Sequence, residues 1–90
     1  MFRDVHEPID ALVAYLRGAP HPLLRAFRWD GRRYDVRETH LVHREREGET
    51  VYLRYSVDSG GDTYFLRLDT EHAEWTLEAM EVSGRRRRSR

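Results

Sequence analysis

The chain of 90 residues contains no cysteine. This absence excludes a disulfide framework, a thiolate zinc site and a cysteine nucleophile, and it favours a cytoplasmic location. Long apolar runs are also missing, since none approaches the ~20 residues that a helix needs to cross a bilayer. The charged start of the chain lacks the apolar segment of a signal peptide. We therefore expect a protein that is neither exported nor bound to a membrane.

Lysine, asparagine and glutamine are absent as well, and all 16 basic residues are arginine. Because lysine and asparagine codons are rich in A and T, this composition indicates a GC-rich bacterial genome. The formal net charge is zero, yet residues 85–90 hold five arginines and no acid. A run of like charges repels itself and buries nothing. We expect residues 1–84 to form one acidic domain and residues 85–90 to be a disordered basic tail.

The N-terminal part of the sequence predicts a helix from about Glu7 to Arg17. Pro8 suits the first helical turn, and Gly18 suits the C-cap. Two prolines in the segment 19–22 prevent the helix from continuing. Four apolar residues recur with the spacing of one helical face, namely Ile9, Leu12, Val13 and Leu16.

After residue 22 the hydrophobic period changes to two, which predicts five strands at about 23–29, 32–43, 50–58, 62–69 and 74–82. The connections are short and suit antiparallel hairpins, so a meander is the simplest topology. One helix of ~15 Å by ~10 Å cannot cover five strands of ~20 Å. Either the sheet curls around the helix or a second chain covers the rest. Since curling hides sheet edges, we expect an α+β fold, with the N-terminal helix packed on a curled five-stranded antiparallel meander.

Two turn signals, Asp30-Gly31 and Gly60-Gly61, fix which side chains face each other. The predicted partners are Phe27 with Tyr34, Trp29 with Arg32, Val57 with Tyr64, Tyr55 with Leu66, and Leu53 with Leu68. Extension across the other connections sets Val42 opposite Val51 and Leu68 opposite Trp75. One face of the meander then collects the predicted core: Leu23, Phe27, Trp29, Tyr34, Val36, Val42, Val51, Leu53, Tyr55, Val57, Tyr64, Leu66, Leu68, Trp75, Leu77 and Ala79.

The first hairpin carries the pattern Phe-x-Trp-x-Gly-Arg-x-Tyr-x-Val from Phe27 to Val36, and Trp75-x-Leu77 follows near the end of the chain. These residues resemble a family of short, uncharacterised bacterial proteins known as a domain of unknown function. The resemblance covers residues 26–37 and 74–82. It implies an antiparallel sheet and no particular activity.

The opposite face of the predicted sheet alternates arginine with aromatic and apolar residues. Arg54 lies directly across from Arg67, which is unfavourable unless a carboxylate or an anion relieves the repulsion. This composition is typical of protein interfaces and also of platforms that bind single-stranded nucleic acid. Because the body of the chain is acidic, we favour a protein interface, and in particular a homodimer. The candidate interface residues are Leu41, Tyr52, Phe65, Met80, Arg54 and Arg67.

A polar pocket on the core face is the other candidate site. Glu38 is predicted to point inward opposite Tyr55, where an arginine on the neighbouring strand would have to neutralise it. His40 also points inward, and the ordinary interpretation is a buried neutral imidazole. His40 and His43 fall on opposite faces and cannot share a metal. A structural ion pair at the rim is favoured over a ligand pocket built from Glu38, Tyr34, Tyr55, His40 and Arg25.

No catalytic, cofactor-binding or metal-binding motif is present in the sequence, so neither a cofactor nor an enzymatic reaction is predicted. We predict a non-enzymatic binding module that acts through a homotypic or other protein–protein interface. The first alternative is a nucleic-acid accessory protein that also uses the tail arginines for phosphate contacts, namely Arg85, Arg86, Arg87, Arg88 and Arg90. The second alternative is a small-ligand binder or an enzyme, which requires the polar pocket.

Overall fold

A computed structural model of the chain describes residues 1–83. It contains seven strands, and within those residues it contains no helix: β1 (Phe2–Ala14), β2 (Leu23–Trp29), β3 (Arg32–Asp35), β4 (Glu38–Glu47), β5 (Thr50–Ser59), β6 (Asp62–Asp69) and β7 (Glu74–Glu81). All neighbouring strands are antiparallel, in the order β3-β2-β1-β7-β6-β5-β4. The described part of the chain is therefore all-β, and the predicted α+β class is wrong.

The segment that was predicted to be a helix is strand β1. Ile9, Ala11 and Val13 pack against the core, whereas Leu12 between them is 54% exposed. The spacing of Ile9 and Val13 fits a period of two as well as a helical period, so that pair cannot distinguish the two structures. Pairing on both sides of the strand decides in favour of β structure.

Strand β1 holds the two halves of the sheet together. Its first part, residues 2–9, pairs with β7, and its last part, residues 10–14, pairs with β2. Pro8 lies in the part that pairs with β7 alone, where a missing N–H is tolerated because one side of the strand has no ladder to complete. The sheet can therefore fold across β1, which brings its two halves face to face.

The β2–β3 hairpin covers the inner face of the other strands, which is the task expected of the helix. The Phe27 ring lies 5.1 Å from that of Tyr34 and 5.3 Å from that of Tyr64 on β6. The Tyr55 hydroxyl on β5 donates a hydrogen bond of 2.6 Å to the Pro22 carbonyl, just before β2. These contacts close a single core between the two layers. Its members include Leu24, Phe27, Leu53, Tyr55, Val57, Tyr64, Leu66, Leu68, Trp75, Leu77 and Met80.

The two glycine turns set the register as predicted. Phe27 faces Tyr34, and Val57 faces Tyr64, as do the other partners derived from the same turns. Both central residues of each turn have positive φ, 54° and 75° in Asp30-Gly31 and 58° and 89° in Gly60-Gly61. That combination is what a type I′ hairpin turn requires. The prediction that Leu68 faces Trp75 is also confirmed.

The pairing of β4 with β5 differs from the prediction. Val42 faces Tyr55 rather than Val51, because β4 continues to Glu47 and a two-residue turn, Gly48-Glu49, replaces the predicted six-residue loop. Charged residues can extend an edge strand, where one side and one face meet water. In addition, the predicted strand 32–43 is broken into β3 and β4.

A bulge in β7 moves Met80 from the predicted outer side into the core. Leu77 faces Leu66, but after one unpaired residue, Glu78, Ala79 faces Phe65 and Met80 faces Tyr64. An extra residue in one strand exchanges the two faces for every residue that follows. Met80 is consequently 7% exposed, so its assignment to an outer interface was wrong.

Candidate interaction face

The five strands β1-β7-β6-β5-β4 have a second side, which we call the outer face. Their inner side is buried under the β2–β3 hairpin, and no further layer covers the outer face among residues 1–83. Along β5, the buried side chains of Leu53, Tyr55 and Val57 alternate with the partly exposed Tyr52 and Arg54. The outer face is therefore a regular sheet surface that is open to contact.

A depression with apolar walls crosses the outer face. Phe2 of β1 and Leu41 of β4, each 58% exposed, line it, and its lining also includes Phe65, Ser56 and Ala79. The Phe2 ring lies 5.9 Å from that of Phe65. Projecting apolar side chains thus stand beside small residues, an arrangement that can receive apolar groups from a partner.

Two β-bulges shape the strands on either side of this depression. The register of β4 shifts between Thr39 and Leu41, and Leu41 then faces Ser56. The register of β1 shifts between Asp4 and Glu7, where His6 has a positive φ of 52°. Bulges of this kind re-aim side chains within a sheet. His6 and His43 line the depression together with the apolar residues.

The two arginines of the outer face are neutralised by neighbouring carboxylates. Arg54 faces Arg67, as the sequence predicted, and the Glu78 carboxylate on β7 contacts both of them. Glu78 accepts a hydrogen bond from Arg54, and its other carboxylate oxygen is 3.6 Å from Arg67 Nε. Arg54 also donates to Glu45, which holds the pKa of that carboxyl below its ordinary value. The Arg67 guanidinium lies 4.7 Å from the centre of the Tyr52 ring. Both arginines are already engaged, so they are poorly placed to bind phosphate.

The structure brings most of the predicted interface residues together and adds others. Leu41, Tyr52, Phe65, Arg54 and Arg67 lie on the outer face. Sequence reasoning missed Phe2 because it stood before the expected helix. It also missed the role of Glu45, which was assigned to a loop. The signal available for Glu45 was the alternation of charge along residues 44–47, which is compatible with an edge strand.

The predicted polar pocket on the core face does not form. Tyr55 lies in the core, and burial raises the pKa of its hydroxyl to about 12. Tyr34 is half-buried between the rings of Phe27 and Trp29, the latter at 6.0 Å. Arg25 is exposed, and Glu38 and His40 lie at the outer edge of the sheet. These side chains therefore do not share an inward cavity, because the two-residue β4–β5 turn and the bulge at His40 give β4 a register that differs from the predicted one.

Glu38 and His40 instead form a cluster with Asp58. His40 Nε2 lies 2.9 Å from Asp58 Oδ2, and His40 Nδ1 lies 3.9 Å from Glu38 Oε2. Thr63 donates a hydrogen bond of 3.0 Å to the other oxygen of Asp58. The hydrogen bond with Asp58 raises the pKa of His40, and the same contact lowers the pKa of Asp58.

These three side chains are the only potential metal-binding trio within residues 1–83. The two ring nitrogens of His40 point in different directions, and each has a carboxylate near it. A metal ion needs its ligands to converge on one point, whereas a protonated imidazole donates from both nitrogens. The geometry therefore suits a positively charged His40 held between two carboxylates.

No family model matches the chain, and neither a curated protein nor a solved structure matches it. The resemblance carried by the first hairpin stays a prediction. None of residues 1–83 belongs to a helix that could span a membrane. The predicted nucleic-acid contacts at Arg85, Arg86, Arg87, Arg88 and Arg90 lie outside the described residues.

Proposed function

We propose that this protein is a non-enzymatic interaction module that pairs with a second copy of itself through the outer face. The observation that supports this most directly is the pair of projecting side chains, Phe2 and Leu41, beside a depression on a sheet whose two outer arginines are compensated by carboxylates. Fully burying a side chain of this size contributes about 1.5–3 kcal/mol. A partner that covers the depression gains this contribution without separating any ion pair.

The size of the outer face fits a dimer. Five strands spaced ~4.8 Å apart, with about eight residues at ~3.3 Å each, cover roughly 600 Å². Two such faces bury about 1,200 Å² in total, which is the lower end of the range for specific protein interfaces. The interface that we propose is therefore of modest size, and dissociation should be observable at micromolar concentrations.

The charges of the outer face disfavour nucleic acid as a partner. Its two arginines are bound to two glutamates, and Asp4 adds a further negative charge at the depression, so a polyanion finds no positive field there. A two-fold axis places the outer face opposite itself, and the projecting side chains of one copy then meet the depression of the other. Nucleic acid has no comparable support on this face.

Sedimentation equilibrium over a micromolar concentration series tests the proposal. The wild-type chain should reach the mass of a dimer, and Leu41→Glu should remain a monomer because it places a charge in the interface. Leu12→Glu is the matched control. Leu12 is 54% exposed, close to the 58% of Leu41, but it lines a different depression with Arg28 and Arg33.

Two outcomes contradict self-pairing. The wild-type chain could stay monomeric at every concentration, or Leu41→Glu could associate as strongly as Leu12→Glu. Circular dichroism of each variant shows whether the sheet is intact, so that a loss of association is not confused with a loss of fold.

The absence of cysteine supports a cytoplasmic setting for this activity.

A further inference from the structure

We infer that residues 85–90, the arginine-rich end of the chain, bind the acidic part of the outer face of their own molecule. The contact offsets an excess of negative charge on that face. In the proposed pair it lets two acidic faces meet, and this consequence alone rests on the proposed function.

The outer face holds more carboxylates than arginines. Side chains that face each other across neighbouring strands lie on the same side of a sheet. In the half with Arg54 and Arg67, the carboxylates are those of Glu45, Glu47, Asp69, Glu74 and Glu78. In the half where β7 ends, they are those of Asp4, Glu38, Asp58 and Glu81.

The negative charge of the domain is concentrated on this face. Among residues 1–83, the outer face has nine carboxylates and two arginines, an excess of seven negative charges when the histidines are neutral. The other side chains of residues 1–83 include nine arginines and seven carboxylates. The outer face therefore attracts cationic groups more strongly than the rest of the domain does.

One row of side chains crosses the outer face where β7 ends, and we call it the acidic row. It consists of Glu81 on β7, Thr63 on β6, Asp58 on β5 and Glu38 on β4, each facing the next. Three strand spacings of ~4.8 Å give it a length of ~14 Å.

The cations near the acidic row offset only part of its charge. His40 lies between the carboxylates of Glu38 and Asp58, and Arg37 acts on Asp58 as well. The side chains opposite Glu81 are those of Phe2 and Thr63, which carry no charge. The end of the row nearest to the C-terminal arginines is therefore its least compensated part.

The chain leaves the sheet beside the acidic row. Two residues after Glu81, the N–H of Ser83 donates a hydrogen bond of 3.1 Å to Asp62 at the start of β6. Residues 84–90 lie outside the described part of the chain, and seven residues at ~3.3 Å each span up to ~23 Å. This reach exceeds the length of the row, so the five arginines can meet each of its carboxylates.

Arginine is well suited to this contact, because its planar guanidinium donates two parallel hydrogen bonds to a carboxylate. Attachment to the same chain gives the segment a high effective concentration at the row. Phe65 and Leu41 lie one row further along the strands, so the apolar depression stays open to a second copy. Five bound arginines reduce the excess of seven negative charges to two, which weakens the repulsion between two outer faces.

Amide NMR spectra test the contact in the full chain carrying Leu41→Glu, the substitution expected to prevent pairing. Replacement of the five C-terminal arginines by glutamine should shift the resonances of Thr63, Asp58 and Glu38. In Glu38→Gln combined with Glu81→Gln, the same replacement should shift them much less.

Glu47→Gln combined with Glu74→Gln is the matched control, because these two exposed carboxylates lie at the far end of the same face. This control should keep the full response to the arginine replacement. Shifts confined to the residues next to position 84 would overturn the contact, and so would equal loss of the response in both pairs of substitutions.

The dissociation constant of the pair is the second measurement. In about 10 mM salt, where charges act over ~30 Å, replacement of the five arginines by glutamine should raise it about tenfold. In about 1 M salt, where the range is ~3 Å, the two chains should pair equally well. Equal pairing in low salt overturns the role of the arginines in pairing. A wild-type chain that stays monomeric overturns self-pairing, and the NMR comparison still decides whether residues 85–90 bind the acidic row.

Discussion

At the scale of single residues, Ala73 occupies a backbone conformation that suits glycine better. Its φ is 57°, at the end of the turn between β6 and β7. The left-handed conformation costs an L-residue ~1–2 kcal/mol, while glycine increases the entropy of the unfolded chain by an amount worth ~0.4–1 kcal/mol. Ala73→Gly should therefore raise the free energy of unfolding by about 0.5–1 kcal/mol, as measured by urea denaturation.

Ala19→Gly provides the comparison for this substitution. Ala19 lies in the β1–β2 connection and is not among the residues with positive φ. Glycine there brings the entropic cost without relieving strain, so the free energy of unfolding should fall. A decrease in stability for Ala73→Gly would show that the turn does not hold this conformation in solution.

Sequence reasoning succeeded for residues near a turn of defined type. The opposition of Arg54 and Arg67 followed from counting outward from Gly60-Gly61, because a type I′ turn admits one register. Sequence reasoning failed for Met80, because no characteristic residue such as glycine indicates the bulge at Glu78. The ion pairs of Glu78 with Arg54 and Arg67 became visible only in three dimensions.

At the scale of elements, the edge strand β4 is attached to β5 by a contact that depends on pH. The contact with Asp58 raises the pKa of His40 above its ordinary value of 6.5, and Asp69 does the same for His72 in the β6–β7 turn. Each histidine stabilises the fold fully below pH 6.5, and this contribution is lost as the pH rises through the folded-state pKa. The free energy of unfolding should therefore decrease between pH 6 and pH 9.

The carboxylates act in the opposite direction. The pKa values of Asp58 and Asp69 are lowered from 3.8, so their stabilisation is present above that pH and is lost as the pH falls through the folded values.

Urea unfolding at pH 6 and pH 9 tests the role of the histidines. The free energy of unfolding should decrease less for His40→Gln than for the wild-type chain, and least for His40→Gln combined with His72→Gln. If the double variant loses as much stability between pH 6 and pH 9 as the wild-type chain does, the two histidines are not the source of the pH dependence.

Strand β1 shows how an element can be misassigned from sequence. Pro8 and Gly18 are ordinary helix boundary signals, and the segment between them has helical spacing. The deciding fact is that β2 and β7 offer hydrogen-bonding edges to this segment, and the edge of β7 is remote in sequence. Local propensity is weaker than such tertiary pairing.

At the scale of the whole molecule, the hydrogen bond from Tyr55 to the Pro22 carbonyl joins the two layers. It joins β5 to the segment that leads into β2. Tyr55→Phe leaves this carbonyl without its donor, which should lower the free energy of unfolding by about 1 kcal/mol. Thermal or urea denaturation measures the loss.

Tyr15→Phe is the matched control, because Tyr15 is 76% exposed and the same hydroxyl is removed. Its stability should stay within about 0.5 kcal/mol of the wild-type chain. Equal losses in the two variants would show that the hydrogen bond between the layers is not responsible.

The curling of the sheet could be anticipated from the sequence, since too many apolar residues faced one side for a small helix to cover. The element that covers these residues could not be predicted, because Phe27 and Tyr34 are equally compatible with a continuous meander. Only the bend at β1 shows that their hairpin lies over Tyr64. The outer face could be predicted in part, since arginine and aromatic residues alternate on β5 and β6, while Phe2 reaches it only through pairing of β1 with β7.

The place of β7 next to β1 has a consequence for biosynthesis. The β2–β3 hairpin is synthesised before the β4–β6 ribbon, and β7, which pairs with both β1 and β6, is synthesised after both. Until β7 is available, the nascent polypeptide exposes two apolar surfaces that are not yet joined. We expect these surfaces to be prone to aggregation in that interval.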